Sequence, residues 1–406
     1  MNVRPTNPRA QQSKPLIGLE FAIRIAVRSV ASAVALVLCS NSVATGAEPD
    51  VSFKNEVQHS IERGLSWLTQ QQNTNGWWST PDHPGVTALA LSAYSGEPGG
   101  RFHSPATQIT RGYDFLLSCV KPDGGIYQRE LTSYNTALVM MALLTAPDSH
   151  RHDTILRRAR RYLVGLQEDR DRPGAIDSPF DGGIGYGGIK KDPDVNNTYT
   201  ALQALYYSKR LVQDQGDSAS KDLNWDAAIH FLESCQNLPD KNKQSWVSTE
   251  ATDRGGFVYY PGRSMAGGET NLTTGKVALR SYGSISYAGL LSYIYADLKN
   301  TDPRVVAVVE WLRNHYTLEE NPGMGPQGLY YYLHLMTKGL TAAGVNELEL
   351  KDGRRVVWRR EVAMRLLALQ QRDGSWVNEN PRWWEKDPTL TTSYSLLALE
   401  TLWRGL

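Results

Sequence analysis

The chain has 406 residues, 41% hydrophobic and 21% charged, with a formal net charge of +1. That balance excludes the basic excess of a nucleic-acid-binding protein. A mean hydropathy of −0.42 excludes a polytopic membrane protein, and three cysteines exclude a disulfide scaffold. With 20 Tyr, 11 Trp and 35 Gly the chain is also unlike a disordered one, which lacks aromatic residues.

The first 28 residues carry Arg4, Arg9, Lys14, Arg24 and Arg28 against one acid, Glu20. An apolar run over 30–39 follows, and Thr45, Gly46 and Ala47 precede Glu48. A basic segment, a short apolar run and small residues before a break predict a signal peptide over 1–47, and with it export to the periplasm or the exterior. The apolar run falls well short of the roughly 20 residues a spanning helix needs, so no membrane span is expected after the leader is removed. What remains, residues 48–406, is expected to be a single domain. Its two cysteines, Cys119 and Cys235, occupy matching places in different repeats and are expected as free buried thiols.

From residue 61 onward one apolar pattern at i, i+3, i+4, i+7 recurs. It runs Tyr113/Leu116/Leu117/Val120, Ala159/Tyr162/Leu163/Leu166, Ala228/Phe231/Leu232/Cys235 and Val305/Val308/Val309/Leu312. Weaker copies begin at Ile61 and Ala363. Such spacing puts the apolar side chains on one helical face. Most of these helices lead into a glycine break followed by a large apolar residue, as in Asn75-Gly76-Trp77-Trp78 and Asp373-Gly374-Ser375-Trp376. A second, Ala-rich helix then opens near a hydroxyl or amide, read as its cap. The second helices include Thr198-Tyr-Thr-Ala-Leu-Gln-Ala-Leu205 and Thr392-Ser-Tyr-Ser-Leu-Leu-Ala-Leu399. Six such hairpins, unevenly spaced, predict an all-α (α/α)6 toroid, with an inner ring of Ala-rich helices and an outer ring of amphipathic ones. An open α-solenoid is the alternative, and no segment has a strand period. The arginine run Arg157-Arg158-Ala159-Arg160-Arg161 reads as a solvated face of an outer helix.

A helix, a Gln, a Gly–aromatic turn and then Thr-x-x-Ala-Leu-x-Ala-Leu resembles the prenyltransferase and squalene-cyclase repeat superfamily. Leu369-Gln-Gln-Arg-Asp-Gly-Ser-Trp376 is similar to the Gln-Trp motif of squalene cyclases. The resemblance covers about residues 55–406 and implies a toroid with a central cavity. Its catalytic motifs are missing. There is no Asp-x-Asp-Asp, and at the places of the prenyltransferase zinc ligands the chain carries Tyr282, Ser284 and Thr391. No metal and no cofactor is therefore expected.

What remains is a ring of polar and aromatic residues at the inner-helix starts. Asp82, His83, Arg280 and His334 are the acid–base candidates. Tyr134, Asn135, Asn197, Tyr199, Tyr282, Tyr287, Tyr331, Thr391 and Tyr394 are the candidate ligand-binding residues. Six converging positive helix ends would favour an anionic or polar ligand group. Three functions fit this pattern. The first is an exported relative of terpenoid cyclases that binds an apolar, isoprenoid-like ligand in an aromatic cavity, with any catalysis of the cyclase or isomerase type. The second is a carbohydrate-active toroid enzyme resembling polysaccharide lyases, resting on Tyr134, Asn135, Arg280 and His334. The third is a non-catalytic interaction scaffold. The expected partner is thus an apolar or carbohydrate small molecule, not a nucleic acid.

Overall fold

The computed structural model describes residues 51–101, 107–188, 190–213, 222–273 and 275–406, so the leader expected over 1–47 lies outside the described residues. Residues 49–406 form one compact unit. In chain order its helices are α1 (Val51–Gln71) and α2 (Pro84–Gly96), α3 (Thr107–Ser118) and α4 (Thr132–Thr145), α5 (Asp153–Val164) and α6 (Val195–Tyr207). After the short α7 (Arg210–Gln213) come α8 (Trp225–Cys235) and α9 (Gly283–Tyr295), α10 (Pro303–Asn314) and α11 (Leu329–Ala342), α12 (Trp358–Leu369) and α13 (Pro388–Gly405).

The inner helices meet side by side in the order α2, α4, α6, α9, α11, α13, and α13 returns to α2. The ring is therefore closed, an α/α toroid and not an open solenoid. Outer helices lie over the grooves of this ring: α1 over α13 and α2, α5 over α4 and α6, α8 over α6 and α9, α12 over α11 and α13. Composition explains the layering. The inner helices are buried on nearly every side, and their alanines (Ala88, Ala90 and Ala93 in α2) let backbones approach. Outer helices bury one stripe, such as Leu156, Ala159 and Leu163 in α5.

One repeated clip joins neighbouring repeats. Gln370 Nε2 donates to Gly374 O of its own turn and to Ser60 O of the neighbouring outer helix. Gln72, Gln167 and Gln236 do the same with Gly76 O and Gln108 O, Gly182 O and Asn224 O, and Gly255 O and Arg304 O. Arginines answer from the neighbouring helix: Arg63 donates to the carbonyls of Gln371 and Arg372, and Arg158 to those of Lys121 and Pro122. The turn glycine must approach that helix closely. At Gly374, with φ +98°, a Cβ would lie 2.7 Å from Arg63 O.

The residue after each turn is pinned by the next inner helix. The backbone N–H groups of Trp78, Ile126, Ile184, Phe257 and Trp376 donate to the hydroxyls of Thr87, Thr136, Thr198, Ser286 and Thr392. Trp78 and Trp376 also donate through Nε1 to Leu68 O and Leu366 O of their own outer helices. These hydroxyls lie inside their helices and hold turns, whereas the sequence suggested that hydroxyl residues at the helix starts, Thr392 among them, were caps.

Two further expectations change. The arginine run is not uniformly solvated. Arg160 is 4% exposed, pairs with Asp222 at 2.5 Å and donates to Leu205 O, because the stripe of α5 that faces α6 includes this position. Strands also exist as three small antiparallel ribbons in the connections: β1 (Gly185–Gly187) with β2 (Lys190–Pro193), β3 (Gly268–Thr270) with β4 (Val277–Leu279), and β5 (Leu348–Glu349) with β6 (Arg355–Val356). At two to four residues they are too short to show a period. Cys119 and Cys235 are buried and unpaired, as expected. No helix among the described residues is long and apolar enough to cross a membrane.

The clip geometry predicts a steep cost for a side chain at Gly374. Gly374→Ala combines left-handed strain with the Arg63 carbonyl clash and should lose about 1–3 kcal/mol in urea unfolding. Gly174→Ala, also at positive φ but with open space around it, should lose clearly less.

Candidate functional site

The inner-helix starts gather at one end of the ring, and most are already occupied by acceptors from the chain itself. Asn135 Oδ1 accepts from Gly85 N at the start of α2, and Asp194 Oδ1 from Asn197 N at the start of α6. Asn321 Oδ1 takes Ser284 N of α9, and Asp387 Oδ1 takes Thr389 N of α13. At α11, Glu385 accepts from Tyr331 N at 2.8 Å and from Tyr330 N at 3.3 Å. The expectation of an anion-binding ring is thereby corrected: five of the six positive ends are satisfied internally, three of them by carboxyl groups.

Over these starts lies a cavity of about 310 Å³, at the small end of ligand pockets. Its wall carries six tyrosines (Tyr134, Tyr186, Tyr259, Tyr282, Tyr331 and Tyr394), Trp383 and Trp384, and the aliphatic Val86, Leu89, Leu131, Ile285 and Leu390. His83, Asn135, Asn196, Ser284 and Glu385 complete it, with no Lys or Arg. The floor is a layer of phenols. Tyr134 and Tyr394 hydroxyls are 3.1 Å apart, and Tyr331 donates to Asn196 Oδ1. Beneath it His334, 7% exposed, stacks on Tyr394 with ring centres 5.4 Å apart. Deeper still, Lys338 Nζ donates to Tyr199 at 2.6 Å and to Gln203 at 3.0 Å. His334, Lys338, Tyr199 and Gln203 thus pack behind the phenol layer.

This places each residue singled out from the sequence. Tyr134, Asn135, Tyr282, Tyr331, Tyr394 and His83 are brought together on the wall. Tyr199 and His334 lie below the floor. Tyr287 is fully buried against Tyr332. Asn197 is turned to Asp194, its Nδ2 donating to Oδ2 at 2.6 Å. Thr391 is spent on Trp376 O at 2.5 Å. Of the three zinc-ligand places, Tyr282 and Ser284 reach the wall and Thr391 does not; among the described residues no group of three His, Cys, Asp or Glu converges. Arg280 points to solvent in an ion pair with Glu269. Asp82 lines a separate open groove with Trp77, Arg111 and Arg129, and pairs with Arg129 at 3.3 Å. Tyr259, Trp383, Trp384 and Glu385 were not anticipated. Three of them form Trp383-Trp384-Glu385, just before the Asp387-Pro388 start of α13, a position that could have drawn attention to them.

Electrostatically the site is acidic and aromatic. Asp194, 2% exposed, is raised to about 7 by burial, although Asn197 and the Tyr259 hydroxyl bond to it. Tyr259 continues to Tyr186 with hydroxyls 3.2 Å apart. Burial also lifts Glu385, opposed by Asn378 and the α11 amides. It raises Tyr134 to about 12 and holds Tyr282, Tyr331 and Tyr394 well above the ordinary phenol value. Burial lowers His83, partly offset by Asp82 and Glu130. The wall at neutral pH is thus phenols, indoles and a neutral imidazole with one carboxyl group, Glu385. Trp384 packs at a tilt against His83, ring centres 4.4 Å apart, and both Trp383 and Trp384 have left-handed backbones (φ +54° and +67°) at the mouth.

No protein-family model matches the chain. Among solved structures it is similar to the type II terpene cyclase MstE from Scytonema. A variant of that enzyme in complex with geranylgeranyl dihydroxybenzoate matches at TM-score 0.51 and 12% identity, over 88% of this chain and 100% of that one. The apo enzyme matches at TM-score 0.50 and 14% identity, over 87% and 99%. The GH76 alpha-mannanase of Bacteroides thetaiotaomicron matches at TM-score 0.51 and 9% identity, over 87% and 98%. These likenesses establish the shared α/α toroid, on which both terpene and carbohydrate enzymes are built.

Asp194 predicts a pH signature. Between its ordinary value of 3.8 and about 7 the folded chain holds a proton that the unfolded chain has lost, so its contribution to stability falls as pH rises through that window. Asp194→Asn cannot ionise. Chemical denaturation from pH 4 to pH 8 should shift the stability difference in the variant's favour by up to about 4 kcal/mol.

Proposed function

We propose that this is an exported α/α-toroid protein that holds an apolar, isoprenoid-like ligand in the cavity over its inner-helix starts. The observation that carries the reading is the wall itself: six tyrosines, two tryptophans and five aliphatic side chains enclose the space, with no basic residue among them. Apolar ligands gain roughly 25 cal/mol per Å² buried on such a wall. The toroid of MstE, solved with a geranylgeranyl compound, gives the same reading a precedent in the fold.

The carbohydrate reading receives less support. Of its four residues, Tyr134 and Asn135 face the cavity, Arg280 is outside in solvent, and His334 is sealed behind Tyr394. They do not assemble around one sugar. The scaffold reading would suit a centre filled throughout, and here the filling stops at the phenol layer. Export rests on the leader over 1–47, and N-terminal sequencing of the protein recovered outside the cytoplasm should begin at Glu48.

Mass spectrometry of small molecules extracted from the purified protein tests the ligand class. A lipid or terpenoid is expected, and a stoichiometric oligosaccharide would overturn the proposal. Val86→Phe, which adds volume inside the cavity, should weaken binding of farnesol at least tenfold while the protein stays folded by circular dichroism.

A further inference from the structure

The cavity also constrains which ligand of that class it takes, and this inference rests on the reading above. We propose that the ligand is a short apolar chain ending in a cationic, amine-type head group, seated between Trp383, Trp384 and the Glu385 carboxyl. Three independent observations converge on it.

The first is size. At about 30 Å³ for each water-sized group, 310 Å³ holds about ten of them. That suits a ligand of roughly ten to sixteen heavy atoms, two or three isoprene units.

The second is the fate of the hydrogen-bond donors. An anionic head needs N–H groups or basic side chains. The wall has no Lys or Arg. The helix amides at Gly85, Asn197, Ser284, Tyr331 and Thr389 already bond to side chains of the chain. Five of the six phenol hydroxyls pair among themselves or with Asn196. A phosphate here would face the Glu385 carboxyl and π faces, with no basic side chain of Lys or Arg to bind it.

The third is what the wall offers instead. Indole and phenol faces attract a cation, by about 0.5–2 kcal/mol each once water is excluded. Trp383 already does so on its outer side, where the Arg382 guanidinium lies 5.3 Å from the ring centre. Trp383 and Trp384 are 39% and 49% exposed at the mouth, the largest aromatic exposures among the described residues. Next to them Glu385, 1% exposed, accepts from Tyr330 N, Tyr331 N and Asn378 Nδ2 at 2.7–3.3 Å and donates nothing. These donors favour its anionic form, against the lift that burial gives it. His83, lowered by burial, leaves the cavity without a competing positive charge.

Isothermal titration of the full chain with farnesol, farnesylamine and farnesyl diphosphate varies the head group alone, and decyltrimethylammonium supplies a cation without an isoprenoid chain. Farnesylamine should bind at least tenfold tighter than farnesol, and the diphosphate weakest. Glu385→Gln should cut the amine-to-alcohol ratio at least fivefold. Trp384→Leu, which keeps the α11 cap intact, should cut it as well. Equal binding of amine and alcohol, tighter binding of the diphosphate, or a ratio unmoved in both variants would overturn the inference. Binding of decyltrimethylammonium with no farnesyl compound bound would overturn the isoprenoid reading and leave the cationic head standing. Binding of none of the four would overturn both.

Discussion

Everything in this molecule depends on a glycine being able to touch the backbone of the next outer helix. That contact lets a Gln from the turn, in four of the repeats, and an Arg from the neighbouring helix, in three, join one repeat to the next. Its last use spans the whole ring. Gln370 reaches Ser60, and Arg63 reaches back to Gln371 and Arg372. The inner helices are too uniformly apolar to choose their own neighbours by charge. The polar clip at the rim sets their order, and the alanine faces then only have to pack.

Closing the ring forces the inner-helix N-termini together, an arrangement with an electrostatic cost. Several positive helix ends within one small space must each find a negative partner. The chain meets this demand with its own side chains, Asp194, Glu385 and Asp387 among them. Having done so, it leaves a wall in which aromatic faces dominate. The apolar character of the cavity thus follows from how the helices are capped as much as from the residues that line it.

The ring, its two layers and the Gly–aromatic turns were legible in the sequence because each is repeated, and a period survives without any knowledge of the third dimension. The site was legible only in part. Helical rotation separates near neighbours: Asn196 faces the cavity while Asn197 turns to Asp194, and Tyr331 reaches the wall while the Tyr199 hydroxyl is drawn down to Lys338. A list of residues near helix starts cannot make that distinction without the exact first residue of each helix. Tyr259, Trp383, Trp384 and Glu385 come from connections, and only ring closure carries them to the mouth. The error over Arg160 has the same root, because the apolar stripe of α5 is continued by one charged residue whose partner, Asp222, lies 62 positions away.

The phenol layer across the ring has one more implication. With Tyr134, Tyr394 and Tyr331 meeting in one layer and His334 and Lys338 behind them, the cavity is backed on that side by packed side chains. On the proposed reading a ligand passes the two exposed tryptophans to reach that layer, so the same pair that would hold its head group would also set its residence time.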